Sequence, residues 1–151
     1  MKRADVDGVL REFEDVVRRA GFTGTRGNYR LANGVHVKVL LDKFGWDSQL
    51  GWGFVLDVAD TSKKDDWGNV PPESRMQISP HTLEKTLGRN KLGALYADNP
   101  VLRSRLRSGW FAFDHTDRLR AVLAAVLEPA LTHIRKWSEN NESTEDRAGR
   151  Q

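Results

Sequence analysis

Apolar positions in the first third of the chain change period twice, and each change marks an element boundary. From Asp5 to Ala20, Val6, Val9, Leu10, Phe13, Val16, Val17 and Ala20 recur at helical spacing. Asp5 and Asp7 lie near the positive end of that helix dipole, Arg18 and Arg19 near the negative end. Gly21 suits the left-handed position just past the helix, and Phe22 is placed to pack back on Val17, the arrangement of a Schellman stop. After the glycine-containing stretch Thr23 to Gly27, which reads as a turn, the period drops to two. Asn28 to Ala32 and Val35 to Asp42 flank Asn33-Gly34, which predicts a hairpin closed by a tight type I′ turn, and Gly51 to Val58 supplies a third strand. Alternation sets Val35, Val37, Val39 and Leu41 against His36, Lys38 and Asp42, and Trp52, Phe54, Leu56 and Val58 against Gly53, Val55 and Asp57.

Polar punctuation separates the remaining elements. Thr61 to Glu73 is turn-rich and ends in Val70-Pro71-Pro72, where the prolines exclude a helix interior or a central strand. Arg75 to Ser79 alternates again, a fourth strand with Met76 and Ile78 inward, and Ser79-Pro80 opens a short helix. Arg89 to Asn99 has too little periodicity to define an element. Asn99-Pro100 is an N-cap followed by proline at the first helical position, starting a short helix that carries on to Arg107. The aromatic run Gly109 to Asp114 reads as a fifth strand. The longest helix spans Thr116 to Trp137, with Leu119, Val122, Leu123, Val126, Ala130, Leu131, Ile134 and Trp137 on one face and a kink expected at Pro129. Ser138 to Arg147 has no apolar anchor, so residues 138–151 read as a disordered tail behind a single domain of residues 1–137. The expected fold is α+β: one antiparallel-rich sheet of about five strands in the order α-β-β-β-β-α-β-α, with the N- and C-terminal helices on one face.

Composition narrows the chemistry. Hydrophobic residues at 38% and charged residues at 30% of 151 describe an ordinary globular chain. The absence of cysteine excludes disulfides, thiol nucleophiles and thiolate metal sites. An excess of 24 basic over 21 acidic residues is smaller than the basic footprint of dedicated duplex-DNA binders. The longest apolar run, Ala121 to Leu127, is too short for a bilayer, and Ala4 to Gly8 occupies the place where a signal peptide needs its apolar core. The expectation is a cytoplasmic protein without a membrane partner.

The chain resembles domain of unknown function 4304, an uncharacterised bacterial family. The matching features are the helix ending in Ala20-Gly21-Phe22, the Gly27-Asn28 entry to the hairpin and the strand Phe54-Val55-Leu56-Asp57-Val58. Pro71-Pro72-x-x-Arg75-x-x-Ile78 and the Trp110-x-x-Phe113 strand leading into a helix with Pro129 extend the likeness over roughly residues 8 to 137. Thr82 to Ser108 departs from the pattern, being longer and more helical. The resemblance implies a fold and transfers no activity.

No catalytic constellation stands out. His36, His81, His115 and His133 are scattered, with no zinc-protease spacing, no Gly-x-Ser-x-Gly elbow and no paired carboxylates, so no catalytic residue, metal or cofactor is assigned. Asp114-His115-x-Asp117 lies where a helix begins and reads as capping chemistry. Alternation, in contrast, gathers Arg30, His36, Lys38, Asp57, Arg75 and Gln77 on the sheet face opposite the core, with Trp46 and Trp67 in loops near the strand ends. Arginine and tryptophan are the anchors that protein interfaces favour. The leading expectation is therefore a non-catalytic protein-binding module, immunity-like or regulatory, with Arg30, His36, Lys38, Trp46, Trp67, Arg75 and Gln77 as its partner-binding residues. The alternative is nucleic-acid binding through the basic stretch of residues 85–107, above all Arg103, Arg105 and Arg107, with Tyr96 and Trp110 available for stacking. A small-molecule enzyme using His36 or His115 is the third reading. Oligomeric state and strand order are open at this level.

Overall fold

The computed structural model describes residues 1–43 and 51–149. The leading helix forms as two pieces, α1 (Arg3–Glu12) and α2 (Glu14–Arg19). At Phe13 the backbone leaves helical geometry (φ −105°, ψ 7°) and its N–H reaches Leu10 O, three residues back, at 3.1 Å, a locally tightened turn. The stop is a Schellman motif: Phe22 N donates to Val17 O at 3.1 Å, Gly21 N donates to Arg18 O at 2.9 Å, and Gly21 takes φ +92°.

The type I′ turn occurs one hairpin earlier than the sequence suggests. β1 (Thr23–Thr25) and β2 (Asn28–Arg30) pair with Thr25 opposite Asn28, leaving Arg26 and Gly27 as the two central residues at φ 53° and 81°. Gly27 is required there twice over, since a Cβ on it would come within 2.9 Å of Val39 Cβ. The turn at Asn33-Gly34 is longer: Gly34 N donates to Leu31 O at 3.2 Å, and Gly34 (φ +100°) but not Asn33 takes positive φ. Asn33 is committed elsewhere. Its Nδ2 donates to Ser138 Oγ at 2.6 Å and its Oδ1 accepts from Val35 N at 3.3 Å, tying the hairpin to the C-terminal helix.

β3 (Val35–Lys43), β4 (Trp52–Asp60), β5 (Arg75–Ile78) and β6 (Phe111–Phe113) complete one antiparallel sheet in the order β1-β2-β3-β4-β5. β5 and β6 lie end to end along the same edge of β4, pairing with Leu56–Ala59 and with Trp52–Phe54. Stacking of Phe54 on Phe111 (5.1 Å between centroids) and of Trp52 on Phe113 (6.3 Å) fixes β6 there, each such pair adding about 0.5–1.5 kcal/mol beyond area burial.

Three short helices connect β5 to β6. α3 (Pro80–Leu87) starts in a capping box between Ser79 and Thr82, and α5 (Pro100–Arg107) starts on the Asn99 side chain, which accepts from Leu102 N at 3.1 Å. α4 (Arg89–Ala94) forms where the apolar pattern defined no element. The last helix, α6 (Thr116–Gly149), runs through Pro129 and past Ser138, so the boundary expected at Ser138 is not where the helix ends. Ser138 is not a solvated start: it is 3% exposed, covered through its bond to Asn33. One continuous core joins Val6, Leu10 and Val17 of the first helices, Val37, Phe54, Leu56 and Ile78 of the sheet, and Val122, Leu127 and Ile134 of α6. The α+β architecture with helices over one sheet face matches the pattern read from the sequence, with β1 and α4 in addition.

Candidate functional site

Strand register converts the outward alternation into two rows across the sheet. One row reads Thr23, Arg30, His36, Ala59, Arg75, and the next reads Thr25, Asn28, Lys38, Asp57, Gln77. Paired residues in an antiparallel ladder share a face, so these side chains project together. Arg30, Lys38, Asp57, Arg75 and Gln77 are exposed and His36 is half-buried. The sequence-predicted residues thus come together on one surface. That surface is open only in part: Val55 at 1% exposure and Ala112 at 0%, whose alternation puts them on the same side nearer β6, are covered.

Charge on the open rows is one-sided. Among the described residues, Arg30, Lys38 and Arg75 close no ion pair, although Asp57 lies in register opposite Lys38. The His36 imidazole titrates below its ordinary value, first because burial disfavours its charged form and then because the Arg30 and Lys64 cations repel a further proton. Lys64 belongs to the loop after β4, which is pinned to the hairpin turn by Thr61 N and Thr61 Oγ1, both donating to Gly34 O at 2.9 and 2.6 Å. Farther along that loop, Asp65 Oδ1 accepts from Trp67 N and Asn69 N, each at 2.9 Å, and Asp65 N donates to Asn69 O at 2.8 Å. This closed turn holds Trp67 outward at 87% exposure, where an unpartnered side chain of that size is costly to leave in water. Trp46 lies outside the described residues.

The basic stretch does not form one surface. Arg103 and Arg107, four residues apart on α5, line a cleft of about 430 Å³ between α3, α4 and α5, whereas Arg105, two residues out of phase, is half-buried and absent from that lining. A row of three guanidinium groups for a phosphate backbone is therefore not presented. Of the two histidines considered for catalysis, His115 is the N-cap of α6, its Nδ1 accepting from Arg118 N at 3.1 Å, and His36 stands on the open sheet face. Neither lines this cleft or the second one, between α3, α4 and α6. Among the described residues no cluster of three His, Asp or Glu is placed to hold a metal, and no helix is long and apolar enough to cross a membrane.

Pattern reading missed the most tightly bonded polar group. Arg118, 6% exposed in the first turn of α6, donates to Asp114 Oδ1 at 2.8 Å, Asp98 Oδ2 at 2.6 Å and Leu95 O at 2.6 Å, and lies 5.6 Å from the centre of the Tyr96 ring. Tyr96 in turn donates to Ala112 O at 2.7 Å. Burial raises Asp114, but the hydrogen bond and charge of Arg118 outweigh it and hold the carboxyl below its ordinary value; a second Arg118 hydrogen bond, from Nη2, lowers Asp98. The only sequence signal was an arginine four residues after an aspartate at a helix start. Three of the five Arg118 N–H groups are bonded in this way, and those to Asp98 and Leu95 O lock α6 to the α4–α5 connection.

Comparison with family models, characterised proteins and solved structures finds no match for the chain.

Proposed function

We propose that the protein is a non-catalytic binding module that presents its open sheet face to an acidic protein partner, in an immunity-like or regulatory role. One observation carries this reading: among the described residues, Arg30, Lys38 and Arg75 stand exposed and close no ion pair on adjacent rows, with Asp57 as the single carboxylate in those two rows. Cations gathered on one face of the ladder complement carboxylates on a partner and steer an acidic surface toward themselves. Trp67, on the loop anchored beside that face, supplies the large apolar contact that most interface energy depends on. The resemblance to domain of unknown function 4304 belongs to the same reading and adds no activity to it.

The test is co-purification from native lysate with wild type, the triple variant Arg30→Glu, Lys38→Glu, Arg75→Glu, and Trp67→Ala. Wild type is expected to retain acidic proteins that wash off on raising salt from about 0.1 to 0.5 M, where screening shortens from about 10 Å to under 5 Å. The charge-reversed variant loses them and Trp67→Ala holds them about tenfold more weakly, the loss of one anchoring side chain. Identical partner sets for all three proteins would sink the assignment of this face.

A further inference from the structure

The cleft between α3, α4 and α5 is built differently from the sheet face, and we infer that it is a binding site for a small organic phosphate, independent of protein docking. Its volume of about 430 Å³ falls in the range of small-ligand sites. Pro80, Leu92 and Leu106 give it an apolar wall, while Arg89, Arg103 and Arg107 set three guanidinium cations and His81 an imidazole around it against one carboxylate, Glu84. That carboxylate is already taken: Arg89 Nε donates to Glu84 Oε1 at 2.7 Å, which lowers the carboxyl and leaves the pair near neutral. Arg103 and Arg107 have no hydrogen-bond or ion-pair partner for their guanidinium groups among the described residues.

The position of Arg103 is prepared by its neighbour. Gly93 lies inside α4, where glycine costs about 1 kcal/mol relative to alanine. A Cβ there would meet Arg103 Nη2 at 3.3 Å and Nε at 3.6 Å, so the glycine lets the guanidinium lie close against α4. On the other wall, His81 Nε2 and Arg107 O are 3.2 Å apart; with Nε2 protonated, the ring donates to that carbonyl and holds the α3 wall to the end of α5. Two planar forks one helical turn apart exceed what a carboxylate needs, since one guanidinium already satisfies both of its oxygens. They match a phosphate monoester, with up to two charges and three terminal oxygens. The apolar wall then takes the organic part of the ester.

Phenyl phosphate, inorganic phosphate and benzoate are the probes, with binding followed by calorimetry and by backbone amide shifts. Phenyl phosphate is expected to bind at least tenfold more tightly than inorganic phosphate or benzoate and to shift amides of α3, α4 and α5. Arg103→Gln and Arg107→Gln each weaken it about tenfold, the loss of one charge-assisted contact. Arg103→Lys fails to restore it, because a point charge does not replace the fork. Gly93→Ala crowds the Arg103 guanidinium and weakens phenyl phosphate by less than Arg103→Gln does, with the helix content unchanged by circular dichroism. The triple sheet-face variant binds like wild type, which separates this site from the docking surface. Equal binding of phenyl phosphate by wild type and by Arg103→Gln, Arg107→Gln overturns the proposal. Benzoate binding as tightly as phenyl phosphate, or shifts confined to the sheet, do the same. So does an oligonucleotide that competes with phenyl phosphate and loses as much affinity in Arg105→Gln as in Arg103→Gln.

Discussion

Arg118 and the sheet-face cations Arg30, Lys38 and Arg75 are the same chemistry in opposite circumstances. Arg118 is 6% exposed and has a carboxylate or carbonyl for each bonding direction it uses. The sheet cations are exposed and close no ion pair among the described residues. A buried charge persists only when its surroundings satisfy it, so satisfaction marks a structural role; an exposed charge held without a partner is available to something outside the fold. Charge by itself therefore says little about function in this chain. Pairing and burial say which arginine holds the molecule together and which is left to meet a ligand.

Replacing Arg118 breaks this contrast most severely. Arg118→Leu leaves Asp114 without its main partner and removes the tie between α6 and Leu95 O, at a cost of about 3 kcal/mol, the low end for a broken buried pair because Asp98 is itself 73% exposed. Urea unfolding is expected to show the midpoint drop with an unchanged slope. Lys38→Leu, the matching change on the sheet face, stays within about 0.5 kcal/mol. Equal losses for the two would end the distinction.

A milder change tests the same network through pH. Asp114 and Asp98 both have folded values below the ordinary 3.8, so as pH falls through that value the unfolded chain takes up protons before the folded one does. The stabilisation is fully present above pH 3.8 and is lost on acidification toward the folded values. Asp114→Asn removes the charge while keeping the shape, costs about 1 kcal/mol at neutral pH, and flattens the acid limb of stability against pH. An acid limb as steep as that of wild type would assign the proton uptake to other carboxylates.

What the sequence made legible follows from how local each signal is. The Schellman stop at Gly21, the Asn99-Pro100 helix start and the alternation of β3 and β4 depend on neighbours a few residues away, and they form as read. Asn33-Gly34 is equally local in pattern, but Asn33 is held by Ser138, 105 residues distant, and the type I′ geometry goes to Arg26-Gly27 instead. The same long-range bond buries Ser138, which its polar sequence context did not show. On the functional side, alternation put Arg30, His36, Lys38, Arg75 and Gln77 on one face without knowledge of strand order, because in each strand the apolar parity must face the core and so sends the other parity to the opposite face. It had no means of showing that Val55 and Ala112 on that side are covered. Nor did it show the cleft that Arg103 and Arg107 line, since that depends on where α4 lies, and α4 has no apolar period to announce it.

The smallest effect sharpens the comparison most, because His36 reports the field of the sheet face from within it. Burial is the largest cause of its lowered value, followed by Arg30 and then Lys64. Arg30→Gln is expected to move the His36 titration upward in a proton NMR series without reaching 6.5, since the burial contribution stays in place. An acidic partner acts in the same direction and more strongly: carboxylates set against Arg30, Lys38 and Arg75 stabilise the imidazolium, so His36 takes up a proton as the complex forms. Affinity then strengthens as pH falls from the His36 value in the complex toward its lowered value in the free protein, and His36→Asn removes that dependence while leaving binding at pH 8 unchanged. A partner whose affinity is flat across this range, or whose binding lowers the His36 value, is not docking through carboxylates on these rows.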